Sequence, residues 1–365
     1  MRVLILHPEF ENQGGVSNLY KQLQNKFKIP TLHFVIGKRT KEKGFISLIF
    51  RMFLDYFRFV MCLKTNNIDL VHINPSLDMK SFIRDGMFAL LARLNKKKIV
   101  VFFHGWEKSF EARIEHSLVW RFRFFFGKSD AFIVLSDQFK KTLERWGITQ
   151  PIYKGVTVID DDDLSGFDIQ NALKKRQSSE KWRVLFLSRI LRDKGIYETI
   201  EAVSVLKAKY PIIELIVAGD GDELENVKSL VHNLNMSNVT FVGYVRGEEK
   251  RHIFEKSQVF CYPTYYGEGL PTCAIEAIAY GLPVITRPVG GLVDFFKNEE
   301  HGFISDSLNP NFFANLIERL LLDKELYKKI SLSNYQYAQN NFLASGTALR
   351  LETIYKELLK NQNFS

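Results

Sequence analysis

The chain has 365 residues, 46% hydrophobic and 25% charged, which is enough for two domains and ordinary for a soluble globular protein. Its net charge of +9 is uneven: residues 1–154 hold 26 Lys and Arg against 13 Asp and Glu, or +13, and the remainder holds 24 against 28, or −4. Such asymmetry indicates that the first half faces an anionic partner, either nucleic acid or an anionic membrane surface.

The three cysteines, Cys62, Cys261 and Cys273, are scattered and form no CxxC pair. This usage favours a reducing, cytoplasmic setting and argues against a zinc site. The apolar run at residues 3–6 is too short for a signal peptide and predicts a first strand.

The most hydrophobic segment, FISLIFRMFLDYFRFVMCL at 45–63, approaches the length of a membrane span. Arg51, Asp55 and Arg58 interrupt it at spacings that put them on one helix stripe, so a transmembrane helix is rejected. A helix packed in the domain core and a helix lying in the membrane interface both remain. The basic run KRTKEK at 38–43 and the basic surplus of this half favour membrane contact.

Short β-branched or aromatic runs alternate with helical patterns along the first half, which predicts βαβ units and a parallel, doubly wound sheet. The predicted strands are Val3–His7, Thr31–Ile36, Leu70–Ile73, Ile99–Phe103 and Ala131–Leu135. The predicted helices include Gly15–Phe27, Met79–Leu94 and Gln138–Trp146.

The pattern pauses at the acidic run DDDDLSG, residues 160–166, and then resumes. The strands predicted after it are Arg183–Leu187, Glu214–Ala218, Val239–Val242, Val259–Tyr262 and Pro283–Thr286. The helices predicted between them are Gly195–Tyr210, Glu223–Asn235, Glu248–Lys256 and Thr272–Tyr280. We therefore predict an α/β protein with domains at 1–160 and 182–340, a linker at 161–181, and a C-terminal helix at 341–365 that packs across the back towards the first domain. Ligands of such sheets bind beyond the carboxyl ends of the strands, so a cleft between the domains is the expected site.

Gly14 and Gly15 follow the first predicted strand and open a helix. Two glycines let the backbone approach a ligand closely, and the N–H groups of a helix start attract phosphate. An ordinary turn between a strand and a helix would contain the same pair.

The corresponding loop of the second half, SRILRDKG at 188–195, is cationic. Arg189 and Lys194 could place a guanidinium and an ammonium group on a diphosphate, an interpretation we prefer to a solvated loop. The next strand ends in Gly219-Asp220-Gly221, which lacks the third glycine of a dinucleotide fingerprint and carries a carboxylate that would repel a pyrophosphate. It predicts a tight turn, not an NAD site.

His104 ends a predicted strand beside Gly105. A histidine there can face a ligand as donor or acceptor, or it can be a satisfied structural residue. No second histidine or carboxylate lies at metal-ligand spacing, so we predict no metal.

The sequence EGLPTCAIE at 268–276 combines a glycine turn, two carboxylates and the start of an apolar helix. Glu268 and Glu276 could accept hydrogen bonds from hydroxyl groups, while the backbone N–H groups of Thr272 and Cys273 could bind an anion. Pro271 has no N–H group and suits a helix start. A sugar nucleotide would satisfy both features, whereas two solvated carboxylates are the alternative.

Together these residues resemble the retaining glycosyltransferases of family 4, which have the GT-B fold of two Rossmann-like domains facing across a cleft. The densest part of the resemblance is EGLPTCAIEAIAYGLPVITRPVGGLVDFF at 268–296. The resemblance implies that Glu276 holds the ribose hydroxyls and that Glu268 faces the donor sugar. It also places Gly269 and Leu270 beside that sugar and Thr272 near the phosphates.

The same resemblance implies that Arg189 and Lys194 neutralise the departing diphosphate and that His104 touches the sugar or the acceptor. With Glu268, these three form the implied catalytic set. The resemblance also implies that Gly14 and Gly15 approach the diphosphate of the donor and that Val245 and Arg246 lie near its nucleobase. Fixed cations and helix N–H groups would stabilise the leaving group without a metal.

The resulting prediction is a retaining, metal-independent transferase that moves a hexose or hexosamine from a nucleotide sugar, UDP-linked, to a saccharide or lipid-linked saccharide, with no cofactor. It would act at the inner face of the cell membrane in capsule, O-antigen or exopolysaccharide assembly. A sugar-nucleotide epimerase of the same fold and a non-enzymatic membrane- or nucleic-acid-binding module are the alternatives. The run WRFRFFF at 120–126 could stack on bases, but core packing is preferred and no RNA-binding signature accompanies it, so nucleic acid is not an expected partner.

Overall fold

The structure is a computed structural model that describes residues 1–11, 14–37, 39, 45–267 and 269–360, with the backbone alone for 45–49. Its contacts divide the chain into two compact units. The first unit comprises Met1–Val158, Gly267–Leu270 and Ala344–Ser365, and the second comprises Ile159–Tyr266 and Pro271–Leu343.

The first unit is built on one six-stranded parallel sheet in the order β2-β1-β3-β4-β5-β6. Its strands are β1 (Val3–His7), β2 (Thr31–Val35), β3 (Leu70–Ile73), β4 (Lys98–Phe103), β5 (Ala131–Val134) and β6 (Ile152–Lys154). Its helices are α1 (Gly15–Leu23), α2 (Phe45–Thr65), α3 (Met79–Leu94), α4 (Lys108–Arg113), α5 (Val119–Phe125) and α6 (Asp137–Arg145), with a π-helical turn, Ile114–Leu118, between α4 and α5.

The strands of this sheet form where apolar residues predominate, as a sheet covered on both faces requires, although β2 contains His33 and β3 contains His72. Every residue of β1, β3 and β5 is buried. The helices begin at local capping residues: the Asp78 side chain accepts hydrogen bonds from the backbone N–H groups of Lys80 (2.9 Å) and Ser81 (3.0 Å). This cap satisfies two of the free donors of a helix start and explains why α3 has the predicted bounds.

The second unit has its own six-stranded parallel sheet, in the order β12-β11-β10-β7-β8-β9. Its strands are β7 (Trp182–Leu187), β8 (Ile213–Ala218), β9 (Val239–Gly243), β10 (Val259–Tyr262), β11 (Val284–Thr286) and β12 (Gly302–Ile304). Its helices are α7 (Ile169–Gln177), α8 (Ile196–Lys209), α9 (Leu224–Asn233), α10 (Gly247–Lys256), α11 (Thr272–Ala279), α12 (Pro310–Leu322) and α13 (Lys324–Asn341).

The stretch 161–181, predicted as a linker, holds a 3-10 turn (Asp161–Leu164) and helix α7. The Asp168 side chain accepts from the backbone N–H of Gln170 at 2.8 Å, which caps α7. Ile169, Ala172 and Leu173 are buried. Most polar residues of α7 therefore lie on the exposed face of a packed helix.

The last helix, α14 (Ala344–Lys360), groups with the first unit. Its buried Glu352 accepts hydrogen bonds from the backbone N–H groups of Lys28 and Ile29, the latter at 3.2 Å. Two carboxylate contacts to one backbone segment fix this helix beside α1.

Each sheet reverses its strand order at one place, between β1 and β3 in the first unit and between β7 and β10 in the second. Open parallel sheets bind ligands beyond the carboxyl ends of the strands at such reversals. The predicted fold class, α/β with two doubly wound Rossmann-like sheets, is confirmed. None of the helices in the described ranges is long and apolar enough to cross a bilayer.

Candidate functional site

In the second unit, the cationic loop 188–195 follows β7 and packs against the glycine turn after β8. A Cβ at Gly219 would lie 1.8 Å from the carbonyl oxygen of Ser188, and one at Gly221 would lie 2.5 Å from that of Ile190. The backbone N–H of Ile190 also donates to the carbonyl of Asp220 at 2.9 Å. The two glycines thus allow one backbone to support the other, as a tight turn requires.

The other side of the cationic loop is held by the segment that follows β10. The carbonyl oxygen of Asp193 accepts hydrogen bonds from Thr264 Oγ1 (3.1 Å) and from the backbone N–H groups of Tyr265 (2.9 Å) and Tyr266 (3.1 Å). Gly195, at a φ of 83°, leaves no room for a Cβ, which would lie 2.6 Å from the carbonyl of Pro263. These contacts join the ends of β7 and β10 at the strand-order reversal.

Tyr266 is close to both cations predicted for the diphosphate. Lys194 Nζ is 3.7 Å from the centroid of the Tyr266 ring, and the Arg189 guanidinium carbon is 5.7 Å from it. Lys194 is only 4% exposed, so its charge is held in place by its surroundings. The ring orients both cations through cation–π attraction. Tyr266 was not predicted; its one sequence signal is its position just after a buried strand.

Glu276 is buried on α11 and forms an ion pair that the sequence did not predict. Its Oε1 atom accepts a hydrogen bond from Lys250 Nζ of α10 at 2.7 Å. Burial alone would lower the pKa of Lys250, but Glu276, together with Asp163, raises it above its ordinary value. Asp163 faces the same pair, and burial raises its pKa. Because its pKa is raised, Lys250 stays protonated beside the Glu276 carboxylate.

Helix α11 begins at Thr272, directly after Pro271. Among the described residues, Pro271 at the N-cap position makes no side-chain hydrogen bond to the first turn. The backbone N–H groups of Thr272 and its neighbour Cys273 belong to that turn. Val245, which is buried, and Arg246, which is exposed, come directly before α10, the helix that carries Lys250.

Gly269 and Leu270 group with the first unit and pack beside His104. A Cβ at Gly269 would lie 2.2 Å from the His104 carbonyl oxygen, and the Leu270 carbonyl accepts a hydrogen bond from Thr157 Oγ1 at 3.2 Å. Only glycine fits this approach. Glu268 lies outside the described residues.

His104 follows β4 and is held by Asn74, which follows β3. Its Nε2 atom is 2.9 Å from Asn74 Oδ1. Burial, with a contribution from His72, lowers the pKa of His104 to about 3, so the ring is neutral at physiological pH. Asn74 was not predicted, because an Asn-Pro-Ser sequence reads as an ordinary turn.

Gly14 is the N-cap of α1, after β1, and Gly15 is the first residue of that helix. Among the described residues, none has an atom within 4 Å of a Cβ placed at either glycine, and Gly14 has an extended backbone with a φ of −179°. Packing against the described residues therefore does not require glycine at these two positions. Within the described ranges, no group of three or more His, Cys, Asp or Glu side chains converges as metal ligands do.

Two family models match the chain, one on each half. The model described as Glycosyltransferase Family 4 matches residues 24–158, and the model described as Glycosyl transferases group 1 matches residues 168–337. The first match contains β2 to β6 and begins after β1 and the Gly14-Gly15 pair, and the second contains all six strands of the second sheet.

Three known proteins illustrate the similarity. The chain is 27% identical to the putative glycosyltransferase YtcC of Bacillus subtilis over 60% of this chain and 57% of that protein. It is 29% identical to the capsular polysaccharide biosynthesis glycosyltransferase CapM of Staphylococcus aureus over 48% of this chain and 46% of that one. In these alignments the chain spans about half the length of the relatives.

The third is a solved structure, Anabaena Alr3699/HepE in complex with UDP-glucose. It superposes with a TM-score of 0.73 at 14% identity and covers 98% of this chain and 100% of that one, a likeness of fold. The two halves of the chain are thus each similar to a glycosyltransferase family model, and the solved structure shares the fold of the chain.

Proposed function

We propose that the chain is a retaining, metal-independent glycosyltransferase that moves a hexose or hexosamine from a UDP-sugar to a saccharide or lipid-linked saccharide. The observation that carries the proposal is the pair of cations around Tyr266, Arg189 and Lys194, at the strand-order reversal of the second sheet. Loss of a nucleoside diphosphate builds negative charge, which preorganised cations stabilise; Lys194 is buried and Arg189 is exposed. The UDP-glucose bound by the Anabaena relative supports the choice of donor.

The proposed donor contacts are those that the resemblance implies. Buried Glu276 would offer carboxylate oxygens to the ribose hydroxyls, and the first turn of α11, which begins at Thr272, would direct backbone N–H groups to the phosphates. Gly14 and Gly15 are assigned to the diphosphate by resemblance. The neutral His104 ring and Gly269 would lie at the sugar. Glu268 is assigned to the sugar by resemblance alone.

The test is a panel of UDP-sugars screened first by thermal shift and then for transfer to saccharide acceptors. Lys194→Ala should abolish transfer by a donor that binds, while circular dichroism shows an intact fold. Lys297→Ala removes an exposed lysine of the same unit and should transfer normally. Transfer by Lys194→Ala at the rate of Lys297→Ala would refute the site. Epimerised sugar formed from the donor alone would favour an epimerase.

The acceptor is proposed to be membrane-associated because of an exposed apolar face on α2. Phe59 and Leu63 bury the inner side of this helix, and Asp55 is buried in an ion pair with Arg51 at 3.2 Å. The charged stripe that argued against a membrane span thus faces the protein in part, with Arg58 exposed. The solvent-facing side carries large apolar residues: Phe50, Phe53, Leu54, Phe57 and Met61. An amphipathic helix with an apolar outer face and nearby cations is typical of membrane-surface binding.

Helix α5 extends the same interpretation. Phe122 and Phe126 are buried, as core packing predicted, whereas Trp120 and Phe124 are exposed, at 64% and 52%. The Arg121 guanidinium lies over the Trp120 ring at 5.0 Å. Aromatic rings beside arginines suit the lipid headgroup region. The capsular role in the name of CapM supports a surface-polysaccharide pathway.

Membrane binding is tested by co-sedimentation with vesicles containing anionic phosphatidylglycerol. The double variant Phe53→Ser, Phe57→Ser should remain in the supernatant, because it removes two exposed rings without disturbing the core. Leu322→Ser changes a 62% exposed apolar residue of the second unit and should sediment like the unmodified protein. Equal sedimentation of both variants would contradict the proposed surface.

A further inference from the structure

A chain of buried polar side chains runs through the first unit from α14 to His104. Tyr355 of α14 contacts His72 of β3, His72 contacts Tyr20 of α1, and Tyr20 contacts Asn74, which holds His104. The first four are at most 3% exposed. Buried polar atoms need partners, so the protons in such a chain have defined positions.

The direction of the hydrogen bonds is set by one backbone carbonyl. Asn74 Nδ2 lies 2.8 Å from the carbonyl oxygen of Leu6, which can only accept, so the amide nitrogen points there. Asn74 Oδ1 must then be the acceptor for its other two neighbours. It accepts from Tyr20 Oη at 2.7 Å and from His104 Nε2–H at 2.9 Å.

The remaining members follow from that assignment. Tyr20 has one proton and donates it to Asn74, so its oxygen accepts from His72 Nε2–H at 3.1 Å. His72 Nδ1 is then a lone pair and accepts from the hydroxyl of Tyr355. This requires a neutral His72, and burial lowers its pKa to about 3. One assignment of the protons therefore satisfies all the hydrogen bonds from Tyr355 to His104.

We infer that Asn74 is a positioning residue that holds His104 in its Nε2–H form, so that Nδ1 is left to accept a hydrogen bond from a ligand hydroxyl. Within the described part of the chain, the Asn74 contact is the one hydrogen bond of the His104 side chain. The ring also packs on Phe102, with centroids 3.8 Å apart, which restricts its rotation. His104 is therefore an acceptor and not a donor. The identification of the hydroxyl as one on a sugar rests on the proposed function.

The tautomer can be measured directly with ¹⁵N-labelled histidine and long-range ¹H–¹⁵N correlation spectra, because the chain has only 8 histidines. The His104→Gln variant assigns the His104 signals. A protonated Nε2 and an unprotonated Nδ1 at pH 7 are expected. A protonated Nδ1 would overturn the inference whether or not any transferase activity is found.

Asn74→Asp tests the role of Asn74. A carboxylate cannot donate to Leu6 and stabilises an imidazolium beside it, so the His104 titration should move to higher pH in this variant. Tyr20→Phe leaves the contact between Asn74 and His104 in place and should keep the Nε2–H form. An unchanged His104 titration in Asn74→Asp would contradict the assignment.

The second unit offers a matched control in the buried pair of Asn334 and His301. Asn334 Nδ2 donates to the carbonyl of Leu282 at 2.7 Å, and its Oδ1 accepts from His301 Nδ1–H at 2.8 Å. Asn334→Asp makes the same chemical change elsewhere and should leave the His104 signals unmoved. A His104 shift as large as in Asn74→Asp would mean that the effect is general destabilisation.

The ligand contact is tested by adding UDP-sugars and, separately, UDP to the labelled protein. A UDP-sugar that raises the melting temperature should shift the His104 Nδ1 signal, and UDP alone should not. Binding without that shift would refute the hydroxyl contact. If no UDP-sugar binds, the proposed function fails and the hydroxyl contact fails with it, while the spectra of the free protein still decide the tautomer.

Discussion

The ion pair between Lys250 and Glu276 predicts that Lys250→Met destabilises the second unit. Methionine keeps the apolar stem but leaves Glu276, whose side chain is 8% exposed, without the ammonium group 2.7 Å away. Removing one partner of a buried pair costs about 3–5 kcal/mol, and a hydrogen bond to a charged group contributes about 1.5–3. Because the Lys250 side chain is still 23% exposed, we expect the lower range, a loss of about 2–3 kcal/mol in the free energy of unfolding.

The effect should also depend on pH in a defined direction. Glu276 and Asp163 raise the pKa of Lys250 against the effect of burial. A raised lysine pKa stabilises the folded state below the unfolded value of about 10.4, and that stabilisation is lost as the pH rises through the folded value. The difference between Lys250→Met and the unmodified protein should therefore be constant near neutrality and shrink in strong alkali.

The assay is equilibrium urea unfolding, followed by circular dichroism. Lys228→Met is the control, since Lys228 pairs with Glu225 at a similar 2.8 Å but both side chains are exposed, at 45% and 82%. Exposed pairs of this kind contribute about 0.3–0.5 kcal/mol. Equal stability of Lys250→Met and Lys228→Met would show that the buried pair does not hold Glu276 as argued.

Two further predictions concern the first unit. Gly269→Ala should lower the free energy of unfolding by about 1–3 kcal/mol, because its Cβ would lie 2.2 Å from the His104 carbonyl oxygen. Gly14→Ala, which has no described atom within 4 Å of its Cβ, should lower it much less. Equal urea midpoints for the two variants would contradict the packing at Gly269. Burial, the largest cause, lowers the pKa values of His7, His72 and His104 to about 4, 3 and 3, so the unfolded chain binds protons first as the pH falls below about 6.5. Stability should drop by about 2 kcal/mol per histidine between pH 7 and pH 5, and His104→Gln should show a drop smaller by that amount in urea titrations at the two pH values.

Much of the fold could be predicted because its signals are local. Predominantly apolar runs mark the buried strands, and the Asp78 cap marks the start of α3. The edge strands β6 and β12, of three residues each, have no such pattern and were missed. Helix α7 was not predicted because most residues of 161–181 are polar and its buried apolar residues form only a short pattern.

The candidate site likewise contains residues that a local pattern predicts and residues that it does not. The spacing of strands, glycines and charges was sufficient to single out Arg189, Lys194 and Glu276, because residues that follow parallel strands collect at one edge of a sheet. The partners of these residues, Lys250 and Tyr266, lie on separate elements and carry no distinguishing local pattern. Lys250, for example, follows Gly-Glu-Glu and precedes Arg, which looks like any solvated helix start.

By itself, the sequence determined the fold class, the two alternating halves and the cationic and carboxylate loops, because each depends on neighbours within a few residues. The tertiary structure alone decided that Lys250 pairs with Glu276 and that Asn74 orients His104. Those contacts join residues 26 and 30 positions apart. Ion pairing and hydrogen bonding act over a few ångströms in space, so the protonation states at the site became readable only once the strands had brought these side chains together.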